Sequence, residues 1–221
     1  MLNRSGCKGV IFDMDGVLID SHPVHRKVWA QFLASLDRPV TEKELDFVLD
    51  GRKREEILRH FLGDLSAESI REYGRRKNRI YYKITVELKT ISGVERFLCT
   101  LESAGIPMAV ATSASFERAR DTLAALGILP RFDALVTGND VVKGKPDPEV
   151  FMRAAERLNR DSHELLVVED AVSGVKAAKR AGMKCLGIAA DGRVKILRAA
   201  GADHVVPDYR KISLSELHRL F

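Results

Sequence analysis

Two carboxylates, Asp13 and Asp15, stand one residue apart directly after the apolar run Gly9–Phe12, and Gly16 follows them. Two other apolar runs end in a similar way. Residues 107–111 lead into Thr112, with Ser113 and Ser115 just beyond, and residues 165–168 lead into Glu169 and Asp170. A lysine, Lys145, sits in the Gly/Pro loop Lys143-Gly144-Lys145-Pro146-Asp147-Pro148. A strand ending in a polar turn accounts for any one of these, because Asp is common in turns. Three such endings in one chain are harder to assign to turns alone. Taken together, the groups suit phosphate chemistry. A phosphate ester approaching a lone carboxylate is repelled by about 4 kcal/mol per charge pair at an effective dielectric near 20. A divalent cation held by Asp13 and Asp170 removes that repulsion, and Lys145 and the Thr112 hydroxyl add charge and hydrogen bonds. Ligands that are all oxygen suit Mg²⁺, which keeps several waters and uses one or two carboxylates.

The elements that must position these residues follow from the pattern. Continuous apolar runs such as Gly9–Phe12 read as strands buried on both faces, the mark of a parallel sheet. From residue 93 onward strands and helices alternate. Helices are predicted over 94–104, 116–126, 149–158, 172–181, 194–200 and 213–220, and strands over 107–112, 133–137, 165–168, 184–188 and 204–206. That alternation implies an α/β fold with a doubly wound parallel sheet. Ligands in such sheets bind at the carboxyl ends of the strands, where the polar residues above fall. Residues 20–87 differ. Val24, Val28, Phe32 and Leu36 recur at helical spacing, a second helix is expected from Thr41, a third over 55–62, and a fourth capped by Ser66. The expectation is an α/β core of residues 1–19 and 88–221, interrupted by an all-helical insert at 20–87. An insert at the mouth of the sheet is well placed to act as a lid.

Composition excludes several classes. The chain has 221 residues, 45% hydrophobic and 30% charged, which is a globular profile long enough for one good core. No apolar run is long enough to span a bilayer, and residues 1–12 do not resemble a signal peptide, so no membrane association and a cytoplasmic location are expected. Cys7, Cys99 and Cys185 are odd in number and widely spaced, which forms neither a disulfide framework nor a metal site. The net charge of +5 invites a nucleic-acid reading, but 36 basic residues are interleaved with 31 acidic ones and no aromatic–basic cluster stands out. No nucleic-acid partner is expected. The densest basic stretch, Arg75-Arg76-Lys77-Asn78-Arg79, reads as a solvated helix face, with Lys77 open to a second role. Around Lys145 the P-loop pattern fails, since Gly138 is one residue too far from Gly144 and Pro146 stands where Ser or Thr is required. No Gly-x-Gly-x-x-Gly follows any strand, so a dinucleotide site is not expected either.

The order and spacing of these motifs resemble those of the haloacid-dehalogenase-like phosphotransferases across nearly the whole chain. Asp13-Met14-Asp15-Gly16-Val17 looks like the first motif of that family, Thr112 the second, Lys145-Pro146 the third and Glu169-Asp170 the fourth, and the helical insert looks like its cap. The resemblance implies that Asp13 is a nucleophile forming an aspartyl-phosphate, and that Asp15 is first the general acid and then the general base. It implies Mg²⁺ on Asp13, the Asp15 backbone carbonyl and Asp170, with Glu169 near or in that shell. It also implies that Thr112, Ser113 and Ala114 hold the phosphoryl oxygens beside Gly16, and that Lys145 balances the charge of Asp13.

Within the family the β-phosphoglucomutase-like branch is the most similar. His25, one helical turn before Trp29, resembles the cap histidine of that branch. Asp50-Gly51-Arg52-Lys53-Arg54-Glu55 resembles its Gly-x-x-Arg segment, with Arg54 as a candidate for a second phosphate and Arg52 or Lys53 equally suited on charge alone, and Lys77-Asn78 resembles its Lys-Asn pair. One departure is Asp50, where the mutase carries Lys; a carboxylate there is expected to repel an anionic sugar phosphate. The expected partner is a small phosphorylated metabolite such as a sugar phosphate. The leading expectation is a phosphatase. A phosphomutase and a non-catalytic phosphoacceptor are the alternatives, and a monomer is compatible with the sequence.

Overall fold

The computed structural model describes residues 6–84, 88–189 and 192–221. The first five residues of the expected core and the expected boundary at 87/88 lie outside the described residues. Six parallel strands form one sheet in the order β3-β2-β1-β4-β5-β6. They are β1 (Gly9–Phe12), β2 (Met108–Ala111), β3 (Ala134–Val136), β4 (Leu165–Glu169), β5 (Lys184–Ile188) and β6 (His204–Val206). The pleat sends alternate residues to opposite faces. Val10, Phe12, Val110, Leu166 and Val168 pack on one side with Phe97 and Leu101 of α4 (Val94–Ser103), Leu123 of α5 (Phe116–Ala125) and Leu217 of α9 (Leu214–His218). Ile11, Ala109, Ala111 and Val167 pack on the other side with Phe151 of α6 (Glu149–Leu158), Val175 of α7 (Val172–Arg180) and Leu197 of α8 (Val194–Ala200).

The chain leaves β1 towards β2 and β3, then returns to the other side of β1 with β4. The strand order therefore reverses between β1 and β4, and a crevice opens there at the carboxyl ends of the strands. Asp13 follows β1 at that crevice, and Glu169 closes β4 directly across from it.

The helical insert has a core of its own. Helices α1 (His22–Ala34), α2 (Arg54–Leu62) and α3 (Ala67–Ile84) enclose Trp29, Phe32, Leu33, Leu45, Leu58 and Phe61. Ser66 accepts from the Ser69 amide at 3.1 Å, the N-terminal cap its position predicts. The helix expected from Thr41 is instead a 3₁₀ segment, Glu44–Leu49. Thr41 and Glu44 do form a reciprocal cap, with the Thr41 amide donating to Glu44 Oε2 at 2.8 Å and the Glu44 amide to Thr41 Oγ1 at 3.3 Å. The segment ends before Gly51, which turns left-handed at φ 68°. The remaining elements match their predicted positions to within one or two residues. Among the described residues no helix is long and apolar enough to cross a membrane.

Three polar contacts seat the insert on the core beside the crevice. Ser113 Oγ donates to the Gly51 carbonyl at 2.6 Å, Lys53 Nζ donates to the Val141 carbonyl at 2.8 Å, and Ser173 Oγ donates to the Asp50 carbonyl.

Candidate active site

A cavity of about 80 Å³ lies between the sheet edge and the insert, with room for a handful of waters. Asp13, Asp15, Thr112, Ser113, Ala114 and Asp170 line it from the core, and His25, Arg54 and Lys77 from the insert. Lys145 and Glu169 lie beneath Asp13. Lys145 Nζ donates to Asp13 Oδ1 at 2.6 Å and to Glu169 Oε1 at 2.7 Å. The other oxygen of Glu169 accepts the backbone amides of Asp170, at 2.7 Å, and Ala171, at 2.8 Å. Both Glu169 oxygens are thus engaged, and its carboxylate is fully buried. Gly174 permits this, because a Cβ there would overlap the Glu169 carboxylate.

Asp15 sits in the turn after β1, where the Gly16 amide donates to the Ile19 carbonyl at 2.8 Å. Its Oδ1 accepts from Ser21 Oγ at 2.8 Å, His25 Nε2 at 2.8 Å and Arg118 Nη1 at 3.1 Å, and its Oδ2 accepts from Arg118 Nη2 at 2.5 Å. Asp170 Oδ2 is buried and receives no hydrogen bond. Its charged neighbours are His22 Nε2 at 2.9 Å and Arg193 at 3.6 Å.

The haloacid dehalogenase-like hydrolase family model matches residues 7–182. The chain is 33% identical over 220 residues to a β-phosphoglucomutase of Bacillus subtilis, covering 96% of this chain and 94% of that protein. It is 32% identical to hexitol phosphatase A of Escherichia coli, covering 95% of each. The structure is similar to that of a β-phosphoglucomutase from Clostridium difficile, with a TM-score of 0.87, 25% identity and 96% of each chain covered. The chain belongs to the haloacid dehalogenase-like hydrolases.

The electrostatics of this hydrolase divide between two walls. Burial pushes the Asp13 carboxyl up, Lys145 pulls it back, and the charges of Glu169 and Asp15 add to the rise, leaving it at about 8. Burial works against the Lys145 ammonium, but Asp13 and Glu169 outweigh it and hold Lys145 protonated. Burial also opposes the Asp15 charge, and Arg118 overrides it to hold that carboxyl well below its usual range. His25 is pushed down to about 4 by burial, so it is neutral at pH 7 and its Nε2–H donates to Asp15. On the facing wall, burial and then the Arg118 charge lower Lys77 to about 7. Burial and Arg118 likewise lower Arg54.

The donor set fits a Mg²⁺ ion. Asp170 Oδ2 is a buried oxygen without a hydrogen bond, and Asp13 is a carboxylate short of positive charge. Gly16, left-handed at φ 75°, makes room for the Asp170 and His22 side chains, which a Cβ would strike.

Asp50 corrects one expectation. Its carboxylate does not line the cavity. Its Oδ1 accepts the Ser173 amide in the first turn of α7 at 3.2 Å, and its Oδ2 pairs with Arg52 at 3.0 Å. A helix N-terminus attracts a carboxylate, and that attraction turns Asp50 away from the substrate space. Three neighbours of the acids were not singled out from sequence: Arg118, His22 and Ser21. Of these, Ser21 and His22 sit at the start of α1, where a polar residue reads as an ordinary cap. Arg118 lies on the exposed-looking stretch Glu117-Arg118-Ala119-Arg120, where nothing marks one arginine as buried.

Two outcomes follow. Gly174→Ala should cost about 1–3 kcal/mol of stability by overpacking, despite alanine's better helix propensity, and should lower turnover by displacing Glu169 from Lys145. A urea midpoint and a rate at wild-type level would show that the seat of Glu169 is dispensable. The second concerns Lys77, whose folded pKa of about 7 lies below the ordinary lysine value of 10.5. The unfolded chain binds the extra proton between those values, so the contribution of this site to stability rises with pH across that window. Lys77→Met should raise stability at pH 7 and flatten its rise towards pH 9; a steeper rise in the variant would contradict the shift.

Proposed function

We propose that this chain is a Mg²⁺-dependent phosphatase that hydrolyses a small phosphate ester, most simply a sugar phosphate, through a phosphoryl group carried on Asp13. The observation that carries this reading is the buried Lys145 bridging Asp13 and Glu169 at the sheet's switch point. It fixes one carboxylate at the mouth of the crevice and leaves the second acid, Asp15, beside it on a separate set of partners.

In this reading Asp13, Asp170 and the Asp15 backbone carbonyl are the ligands of Mg²⁺, which supplies positive charge at the phosphoryl oxygens. Glu169 orients Lys145 and the amides after β4 rather than ligating the ion. The Thr112 hydroxyl and the amides of Ser113 and Ala114 take the remaining phosphoryl oxygens. Asp15, ionised beside Arg118, takes up the proton of the bound phosphate monoanion and passes it to the leaving oxygen as the Asp13 carboxylate attacks phosphorus. Asp15 then takes a proton from the water that attacks the same phosphorus, and the Asp13 carboxylate is released. Residues 20–87 act as the lid. The cavity is walled by the core and the insert together, so movement of the insert would open and close it around a substrate. Arg54 and Lys77, brought in by the lid, meet the anionic end of the substrate. The cytoplasm is the compartment this reading assigns, and a phosphorylated metabolite is the only partner it needs.

A phosphomutase is the second reading, favoured by the 33% identity to a β-phosphoglucomutase. It uses the same Asp13 phosphoryl group but returns it to a sugar hydroxyl. Product analysis with β-glucose 1-phosphate, Mg²⁺ and catalytic glucose 1,6-bisphosphate separates the two. Free phosphate from this or other sugar phosphates is the outcome expected, and glucose 6-phosphate without matching free phosphate would establish the mutase. Chelation of Mg²⁺ and Asp13→Asn should each abolish turnover by at least about 10³-fold, given the scale of the catalysed rate. Turnover surviving Asp13→Asn would sink the mechanism.

A further inference from the structure

We propose that Arg118 is the positioning residue for the Asp15 carboxylate, the fixed support that keeps the acid/base aimed at the phosphoryl site whether the lid is open or closed. The inference rests on the reading of Asp15 as general acid.

The argument begins with where the partners of Asp15 come from. Its backbone is set by the turn after β1, but its side chain is free to rotate unless something holds it. Of the three side chains that hold it, His25 lies on α1 of the helical insert and Ser21 immediately precedes that helix. Both move with the lid. Arg118 alone comes from the core, from the first turn of α5 behind β2. Its guanidinium grips both carboxylate oxygens, at 3.1 and 2.5 Å. A planar fork meeting a carboxylate at two points fixes the plane of the carboxylate as well as its distance.

The second strand of the argument is that the fold gives Arg118 no other reason to be there. Its side chain is 8% exposed, and Asp15 is its one carboxylate partner among the described residues. A cation in the first turn of a helix works against the helix dipole. Buried ion pairs contribute little net stability compared with apolar side chains of the same size. An arginine placed at a helix N-terminus, buried, and paired only with a site carboxylate is therefore poorly explained as a stabilising contact. It is held in turn by the Tyr81 ring, whose centroid lies 5.2 Å from the guanidinium carbon, and Tyr81 stacks on His25 at 5.6 Å. When the lid is seated, the ring sits between the fixed and the moving partners of Asp15.

Two esters of similar size test this. Benzyl phosphate has a poor leaving group that needs a proton, and p-nitrophenyl phosphate has a good one that does not. The value kcat/KM reports the steps up to transfer onto Asp13, where Asp15 acts as acid. The ratio of the two kcat/KM values is independent of how much of a variant is folded, because both substrates meet the same active fraction. Asp15→Asn should lower the benzyl-to-nitrophenyl ratio by about 100-fold or more. Arg118→Gln should lower it by about tenfold or more, and Arg118→Lys should stay low, because one ammonium restores the charge but not the fork. If Asp15→Asn lowers the ratio and Arg118→Gln leaves it unchanged, or lowers both rates equally, Arg118 does not position the acid. A ratio restored by Arg118→Lys would overturn the fork in favour of charge alone. A ratio unmoved by Asp15→Asn would instead remove the general-acid reading on which the inference rests.

Discussion

The Lys145 ammonium, buried between Asp13 and Glu169, is the contact on which the rest of the site depends. Two carboxylates this close in a dry crevice repel each other strongly, and the cation between them offsets part of that repulsion, while burial still leaves the Asp13 carboxyl at about 8. The arrangement is not self-sufficient. Removing one member of a buried ion network typically costs about 3–5 kcal/mol, since the others are left uncompensated. The fold therefore supplies further support around it. The strand order reverses so that β1 and β4 lie side by side, two backbone amides hold the far oxygen of Glu169, and a glycine in α7 leaves room for its carboxylate. Sheet topology, loop and helix packing converge on one ammonium group, and the orientation of Asp13 follows from it.

That interaction also explains the polarity of the facing wall. With Lys145 committed below Asp13, the upper side of the site still carries Asp13, Asp15 and Asp170. An anionic substrate enters only if positive charge is supplied from elsewhere. In the proposed reading a divalent ion on Asp13 and Asp170 would provide part of it, and the insert brings Arg52, Arg54 and Lys77 to the same cavity. Burial, and then the nearby Arg118 charge, lowers both Lys77 and Arg54. A wall of like charges is costly to hold in a folded protein. It is the kind of local conflict expected where structure serves binding.

The sequence made the sheet and the core acids legible because both depend on local pattern. Continuous apolar runs gave the strands, and the polar residues at their ends needed only a parallel sheet to bring them together. Asp13, Thr112, Lys145 and Asp170 are far apart in the chain and adjacent in the structure for that reason alone. What escaped was set by rotamer and burial. Arg118 lies on a helix whose exposed face carries another arginine, Arg120, and only the three-dimensional path of α5 past the turn after β1 turns it inward. Asp50 was misread because its charge, considered alone, suggests repulsion; its direction is fixed by the amide of Ser173, which lies 123 positions further along the chain. The helix expected from Thr41 is a 3₁₀ segment, Glu44–Leu49, because capping signals mark where a helix can start but not which hydrogen-bond pattern continues it.

The division between core and insert bears on which reaction the site performs. The relatives include a mutase at 33% identity and a phosphatase at 32%, each matched over nearly its full length. Identity at this level does not separate the two reactions, so the shared core chemistry does not choose between them. The two differ in what reaches the phosphoryl group on Asp13 during its lifetime, a water or a sugar hydroxyl. That choice belongs to the lid, through how long it stays shut and how firmly it holds a sugar after the first transfer. In this chain the seat of the lid is built from short polar contacts to backbone atoms, from Ser113, Lys53 and Ser173, with Asp50 spent on the start of α7. The residue that carries a cation in the mutase-like pattern thus serves closure here rather than substrate binding. In the proposed phosphatase reading, one charge fewer on the insert would hold a sugar phosphate less firmly and leave the phosphoryl group to water.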